Sequence, residues 1–207
     1  MKYHVYGLGN ALVDIEYQVD SAFLDLHNIE KGLMTLVDED RQLYLIEALN
    51  KHMIKKQSGG SAANTMIAAS QFGANCFYSC RVADDPWGDF YTDDLVAAGV
   101  DTNLTLSPRN PGLTGRCLVM VTDDADRTMN TFLGITTELS EQELVPDAIK
   151  ESQWIYIEGY LVPNPVSQQT MVAARELADD NSIKTALTFS DPNMVNFFKD
   201  GLDEVIG

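Results

Sequence analysis

Val13, Ile15, Tyr17 and Val19 alternate with Asp14, Glu16, Gln18 and Asp20. A period of two marks a strand with one wet face. An apolar strand precedes it from Tyr3 to Gly9, and a short one is predicted from Gly32 to Val37. The period then changes: Leu43, Ile46, Leu49 and Met53 stand at helical spacing and predict a helix over Arg41–Met53. An alanine-rich helix follows from Ser61 to Phe72 and ends at Gly73. Asn75 to Val82 is an apolar strand. Asp85-Pro86 then reads as a cap with proline at the first helical position, opening a helix that carries Trp87, Phe90 and Leu95 and stops at Gly99. Two strands, Gly115–Thr122 and Arg127–Phe132, flank the acidic turn Asp123-Asp124-Ala125-Asp126. Ser152–Glu158 is a buried strand, Asn164-Pro165 caps a helix running to about Asp179, Lys184–Phe189 is a further strand, and a last helix spans about Asn193 to Gly201.

Strands alternating with helices predict an α/β fold: a mostly parallel sheet covered on both faces. The strand-only stretches, about 12–38 and 103–133, predict a small second sheet at its edge. No repeat or linker divides the 207 residues, so they form one domain with these two segments inserted in its α/β core. The formal charge is −17, from 31 acidic against 14 basic residues. Such a surface repels phosphate backbones and anionic membranes, which argues against both as partners. No run approaches the roughly 20 apolar residues of a membrane helix, and the N-terminus lacks a signal-peptide pattern. Three cysteines without metal-ligand spacing, Cys76, Cys80 and Cys117, read as packing thiols of a reducing compartment, so a cytoplasmic protein is expected.

The candidate chemistry lies in Ser58-Gly59-Gly60-Ser61-Ala62-Ala63-Asn64-Thr65. Two glycines let backbone approach a ligand, the first N–H groups of a helix lack internal partners, and Gly60 and Asn64 share a helix face. The combination suits a polyhydroxylated small molecule; a helix start packed closely on a sheet is the structural alternative. Gly7-Leu8-Gly9-Asn10-Ala11-Leu12 superficially matches a dinucleotide fingerprint, but a strand follows it where that motif requires a helix. A dinucleotide-binding oxidoreductase is excluded on that ground.

Several segments then line up: Gly9-Asn10-Ala11-Leu12-Val13-Asp14, Gly59-Gly60-Ser61-Ala62-Ala63-Asn64-Thr65, Gly73, Val82-Ala83-Asp84-Asp85-Pro86-Trp87-Gly88 and Ala98-Gly99-Val100-Asp101-Thr102. In order and spacing the chain resembles the ribokinase-like PfkB family of carbohydrate and nucleoside kinases, with a branch similar to adenosine kinases in view. The resemblance implies an α/β/α sandwich with a small β-sheet lid. It also implies transfer of the γ-phosphoryl of ATP, with Mg2+, to a hydroxymethyl group. Asp14 matches the acidic residue that grips sugar hydroxyls, although it could be an exposed lid-strand aspartate. Gly59, Gly60 and Asn64 match the sugar-binding turn and helix start, with Asn10 beside them.

Arg127, on a strand similar to one that covers the substrate, could meet a phosphoryl group or neutralise its own acidic hairpin. Met129, Phe132, Tyr160 and Leu161 could pack on a nucleoside base, or belong to lid and core. Glu158 ends a buried strand and needs a partner there. Lys55 and Lys56 read as solvated.

Two departures stand out. Cys80 and Ala83 replace glycines usual in the family, and backbone at positive φ would be strained there. The Gly-Ala-Gly-Asp turn that supplies the family's base and phosphate donors, and the earlier Asn-x-x-Glu motif, are not found. Nor is a P-loop. The base and the nucleotide half of the site are therefore expected beyond Gly207, and these residues alone are expected not to turn over. The competing expectation is a non-catalytic protein that binds a sugar or nucleoside, or that mediates an interaction. Exposed lid edges and apolar side chains would also allow a homodimer through the lid.

Overall fold

The computed structural model describes residues 1–49 and 53–207. In chain order its elements are β1 (Tyr3–Leu8), β2 (Leu12–Gln18), α1 (Ser21–Leu26), β3 (Met34–Leu36), α2 (Glu39–Leu49), β4 (Met53–Gly59), α3 (Ser61–Gln71), β5 (Cys76–Ser79) and α4 (Pro86–Ala97). There follow β6 (Val100–Thr102), β7 (Gly115–Val121), β8 (Arg127–Phe132), α5 (Pro146–Lys150), β9 (Ser152–Glu158), α6 (Pro165–Asp180), β10 (Lys184–Thr188), α7 (Pro192–Phe197) and α8 (Lys199–Ile206). Short 3₁₀ turns sit between several of them, including Gly134–Glu138 after β8 and Gly159–Leu161 after β9.

The main sheet has the order β10-β9-β1-β5-β6 and is parallel throughout. Alternate residues feed two cores, as a sheet covered on both faces requires. Val5, Cys76 and Tyr78 pack with Ala62, Ala63 and Met66 of α3 and Tyr91 and Leu95 of α4. Tyr6, Leu8, Phe77, Ile155 and Ile157 pack with Ile149 of α5, Met171 and Ala174 of α6, and Leu202 and Val205 of α8. The architecture is the expected α/β/α sandwich. Cys76, Cys80 and Cys117 are free and buried, and the first two belong to the α3/α4 core.

The second sheet, the lid, is mixed, in the order β3-β8-β7-β2-β4. Register partners share a face. Val13, Ile15, Leu118 and Met120 lie on one face and are buried in a cluster with Leu24 of α1 and Leu45 and Leu49 of α2. Gln42 of α2 reinforces that contact by donating from Nε2 to the Arg116 carbonyl (2.8 Å). The opposite face carries Asp14, Gln57, Cys117, Val119, Met129 and Thr131.

The structure corrects the expected elements in four places. Helix α2 is described as far as Leu49, Asn50–His52 lie outside the described residues, and Met53 opens β4 rather than closing a helix. Pairing with β2 makes this polar segment a strand, because β propensity yields to cross-strand context. Helix α1 interrupts the first strand-only stretch, capped by Asp20, whose carboxylate accepts from the Phe23 N–H (2.8 Å). In the second stretch a 3₁₀ turn occupies Asn103–Thr105 and the strands begin at Gly115. Gly201 does not end a helix. It lies inside α8, where an added Cβ would sit 2.6 Å from Val162.

Candidate functional site

The family-like segment from Val82 to Gly88 explains how the lid is anchored. Asp85 caps α4 by accepting from the Gly88 N–H (2.7 Å). The same carboxylate accepts from the N–H and hydroxyl of Thr114 (2.9 and 2.6 Å), just ahead of β7. Gly88 admits no side chain, since a Cβ would run into the Ala83 carbonyl. Neither Cys80 nor Ala83 is among the residues at positive φ, so replacing the family's glycines there carries no backbone strain.

From this anchor α4 holds the Gly-Gly turn. Asp94 accepts from the Ser58 N–H (2.7 Å), and the Tyr91 hydroxyl donates to the Gly59 carbonyl (3.1 Å). Gly60 has φ 101°, a conformation that glycine alone takes readily, and a Cβ there would strike the Asn10 carbonyl. Gly59 faces Asp14, the cross-strand neighbourhood in which a Cβ would fall inside the Asp14 carboxylate. The double glycine therefore brings the first turn of α3 against Asn10 on one side and Asp14 on the other.

Asp14 is half-buried, and among the described residues no hydrogen bond reaches its carboxylate. Burial pushes its pKa up to about 6, opposed by the positive charge of Arg127. Arg127 is exposed and makes no ion pair with the hairpin carboxylates among the described residues. Lys31 is the partner of Asp124 (2.5 Å) and holds that carboxyl below its ordinary range. Asn64 is exposed one turn into α3, and Met129 is half-buried on the Asp14 face of the lid. Met34 pairs with Met129, and Leu36 with Thr131, so the same face carries an exposed apolar edge.

Two expected residues are fully buried. Leu161 is 2% exposed and packs in the α6 core with Val162 and Met171, because the 3₁₀ turn after β9 rolls it under the sheet. Glu158 is 1% exposed and turned into the protein. Its Oε1 accepts from Asn10 Nδ2 (2.9 Å) and its Oε2 from the Ala62 N–H (2.9 Å). Burial raises its pKa; donors from Ala62, Asn10 and Ser61 oppose the shift. Tyr160 is half-buried near Asp191, and burial pushes its hydroxyl up to about 12. Phe132 faces Arg116, on the lid side away from Asp14. Lys55 pairs with Glu16 (3.3 Å), and Lys56 lies over the Phe90 ring (4.1 Å).

The sequence reading missed Gln57, Cys117 and Thr131, which surround Asp14 on the lid face. Strict alternation along β7 and β8 carries that signal for Cys117 and Thr131. Thr136 had none: its hydroxyl accepts from the Ala11 N–H (3.0 Å) and donates to Asn10 Oδ1 (3.3 Å). Among the described residues no group of three or more His, Cys, Asp or Glu side chains converges to hold a metal ion.

The chain is a parallel α/β sandwich with a lid, and its buried polar cluster lies at the carboxyl ends of β1 and β9, where sheets of this kind commonly place ligands. Residues 32–207 match the model of the pfkB family carbohydrate kinases, and the chain belongs to that family. It is 25% identical to the adenosine kinase of Schizosaccharomyces pombe over 99% of its own length and 60% of that protein's. The crystal structure of adenosine kinase from Sinorhizobium meliloti superposes with a TM-score of 0.87 at 34% identity, over 99% of this chain and 62% of that one. A probable sugar kinase from Rhizobium etli superposes equally well, 0.87 at 30% identity over 97% and 60%. The chain thus spans about three fifths of the length of these relatives.

Proposed function

We propose that this chain forms the substrate-binding part of an ATP-dependent kinase that phosphorylates a hydroxymethyl group of a nucleoside, with adenosine the favoured substrate. One arrangement carries the reading. A half-buried carboxylate that no hydrogen bond reaches among the described residues, Asp14, shares a lid face with the apolar Met129, Met34 and Leu36. An ionised carboxylate there accepts two ribose hydroxyls through charge-assisted hydrogen bonds, and the apolar edge covers a flat base. Gly59, Gly60, Asn64 and Asn10 supply close backbone approach and amide groups around the sugar, while Arg127 offers positive charge at the rim. A free sugar would use Asp14 but leave the apolar edge exposed. The named adenosine kinases among the relatives support the nucleoside over the sugar.

Within this proposal the chain's residues bind and orient the acceptor, and the lid excludes water. ATP with Mg2+ is the phosphoryl donor that family membership supports. No residue of this chain is assigned to hold the metal or to act as the base. A cytoplasmic setting suits the three free thiols. Pairing of two lids would use an outer edge, β3 or β4, since α1 and α2 cover the apolar lid face.

Binding measured for adenosine, ribose and fructose tests the reading. Saturable adenosine binding with no response to either sugar is expected. Fructose or ribose binding without adenosine binding would overturn it.

A further inference from the structure

Helix α3 starts without a cap of its own: its N-cap residue is Gly60, which has no side chain to accept from the first-turn N–H groups. Glu158, at the end of β9 and 96 residues beyond Ala62, fills that place by accepting from the Ala62 N–H. Its other oxygen holds the Asn10 amide. The space is tailored to this carboxylate, for a Cβ on Gly9 would stand 2.7 Å from Glu158 Oε2 and 2.8 Å from the Tyr78 hydroxyl. That hydroxyl donates to the Asn10 carbonyl (2.8 Å). Thr136, where the chain returns from the lid, closes the network by bonding Asn10 Oδ1 and the Ala11 N–H, where the chain enters the lid. One buried carboxylate thus joins the turn after β1 to the first turn of α3 and, through Asn10, to the return from β8 at Thr136.

We infer that Glu158 is a positioning residue: with Thr136 it clamps the Gly9–Asn10 turn to the start of α3, fixing the sugar-binding groups before substrate arrives, and it does not touch the substrate. Its binding consequences rest on the nucleoside reading above; its structural consequence does not. Both carboxylate oxygens already accept from the protein, and a buried anion is retained only when so satisfied. Replacing one oxygen by an amide sets donor against donor at Asn10 or Ala62.

The test uses Glu158→Gln and the near-isosteric Thr136→Val, with adenosine, 2′-deoxyadenosine and 3′-deoxyadenosine as ligands. Amide hydrogen exchange at Ala11 and Ala62 is followed in the ligand-free proteins. The clamp predicts that each variant weakens all three ligands by one common factor, roughly tenfold for Glu158→Gln. It also predicts faster exchange at Ala62 in Glu158→Gln and at Ala11 in Thr136→Val, while the amides of β7 stay protected. A merely global loss of stability would speed exchange at β7 as well, and would count against the inference. So would a deoxy analogue whose binding Glu158→Gln leaves unchanged, since that marks a direct contact with the missing hydroxyl. Should Glu158→Gln not fold, Thr136→Val decides alone: unaltered exchange at Ala11 overturns the clamp. If the unsubstituted protein binds none of the three ligands, the nucleoside reading has failed, and the exchange measurements still decide the clamp.

Discussion

Asp14 combines partial burial with a carboxylate that no hydrogen bond reaches among the described residues, and its titration has a definite sign. Its pKa rises from the ordinary 3.8 to about 6 because burial penalises the charged form. Substrate hydroxyls need the ionised form as acceptor. Adenosine affinity is therefore expected to be flat above about pH 7 and to weaken by about tenfold per unit below about pH 6, measured as Kd against pH. For stability the sign reverses. A raised folded-state pKa favours the protonated fold, so this group's contribution is lost as pH rises from about 4 to about 6. Asp14→Asn should then stabilise the ligand-free protein at pH 8 by about 2 kcal/mol, seen by urea denaturation. Gly59→Ala is expected to fold yet lose adenosine binding at least tenfold, because the new methyl occupies the Asp14 carboxylate's place. Asp14 was singled out in the sequence by the family resemblance, since a period of two places it on the polar face of its strand only in company with Glu16 and Gln18. Glu158 was legible as a buried carboxylate in need of a partner. Its partners were not, since they come from a turn and a helix start that only the fold brings together.

Among the elements, α4 and β4 show what pattern reading captures and what it cannot. The Asp85-Pro86 cap and the stop at Gly99 placed α4 closely, because capping is local chemistry. Strand β4 escaped because Met53–Gly59 has neither alternation nor β-branched enrichment; β2 imposes its conformation. Its lysines then suit it to an exposed lid edge. The Asp85 carboxylate does more than cap, binding Thr114 where the chain turns into β7. Asp85→Ala is expected to cost about 3 kcal/mol, the sum of a lost cap and unsatisfied Thr114 groups, and urea denaturation would show it. A cost below about 1 kcal/mol would mean that α4 does not anchor the lid.

Across the whole molecule, β2, β4, β7 and the return from β8 all cross between lid and sandwich beside Asn10, Gly59 and Gly60. The parallel sheet was readable from the alternation of strands and helices, and the lid from the strand-only stretches. The covering of the lid's apolar face by α1 and α2 was not, because α1 is six residues long and carries only one fully buried side chain, Leu24. That covering leaves Asp14 on the lid's other face. The most direct test is calorimetric titration of adenosine at pH 8 into the protein and its Asp14→Asn variant. The account predicts saturable 1:1 binding that weakens by about a hundredfold in the variant, the loss of two charge-assisted hydrogen bonds. Binding of equal strength in both proteins would contradict it.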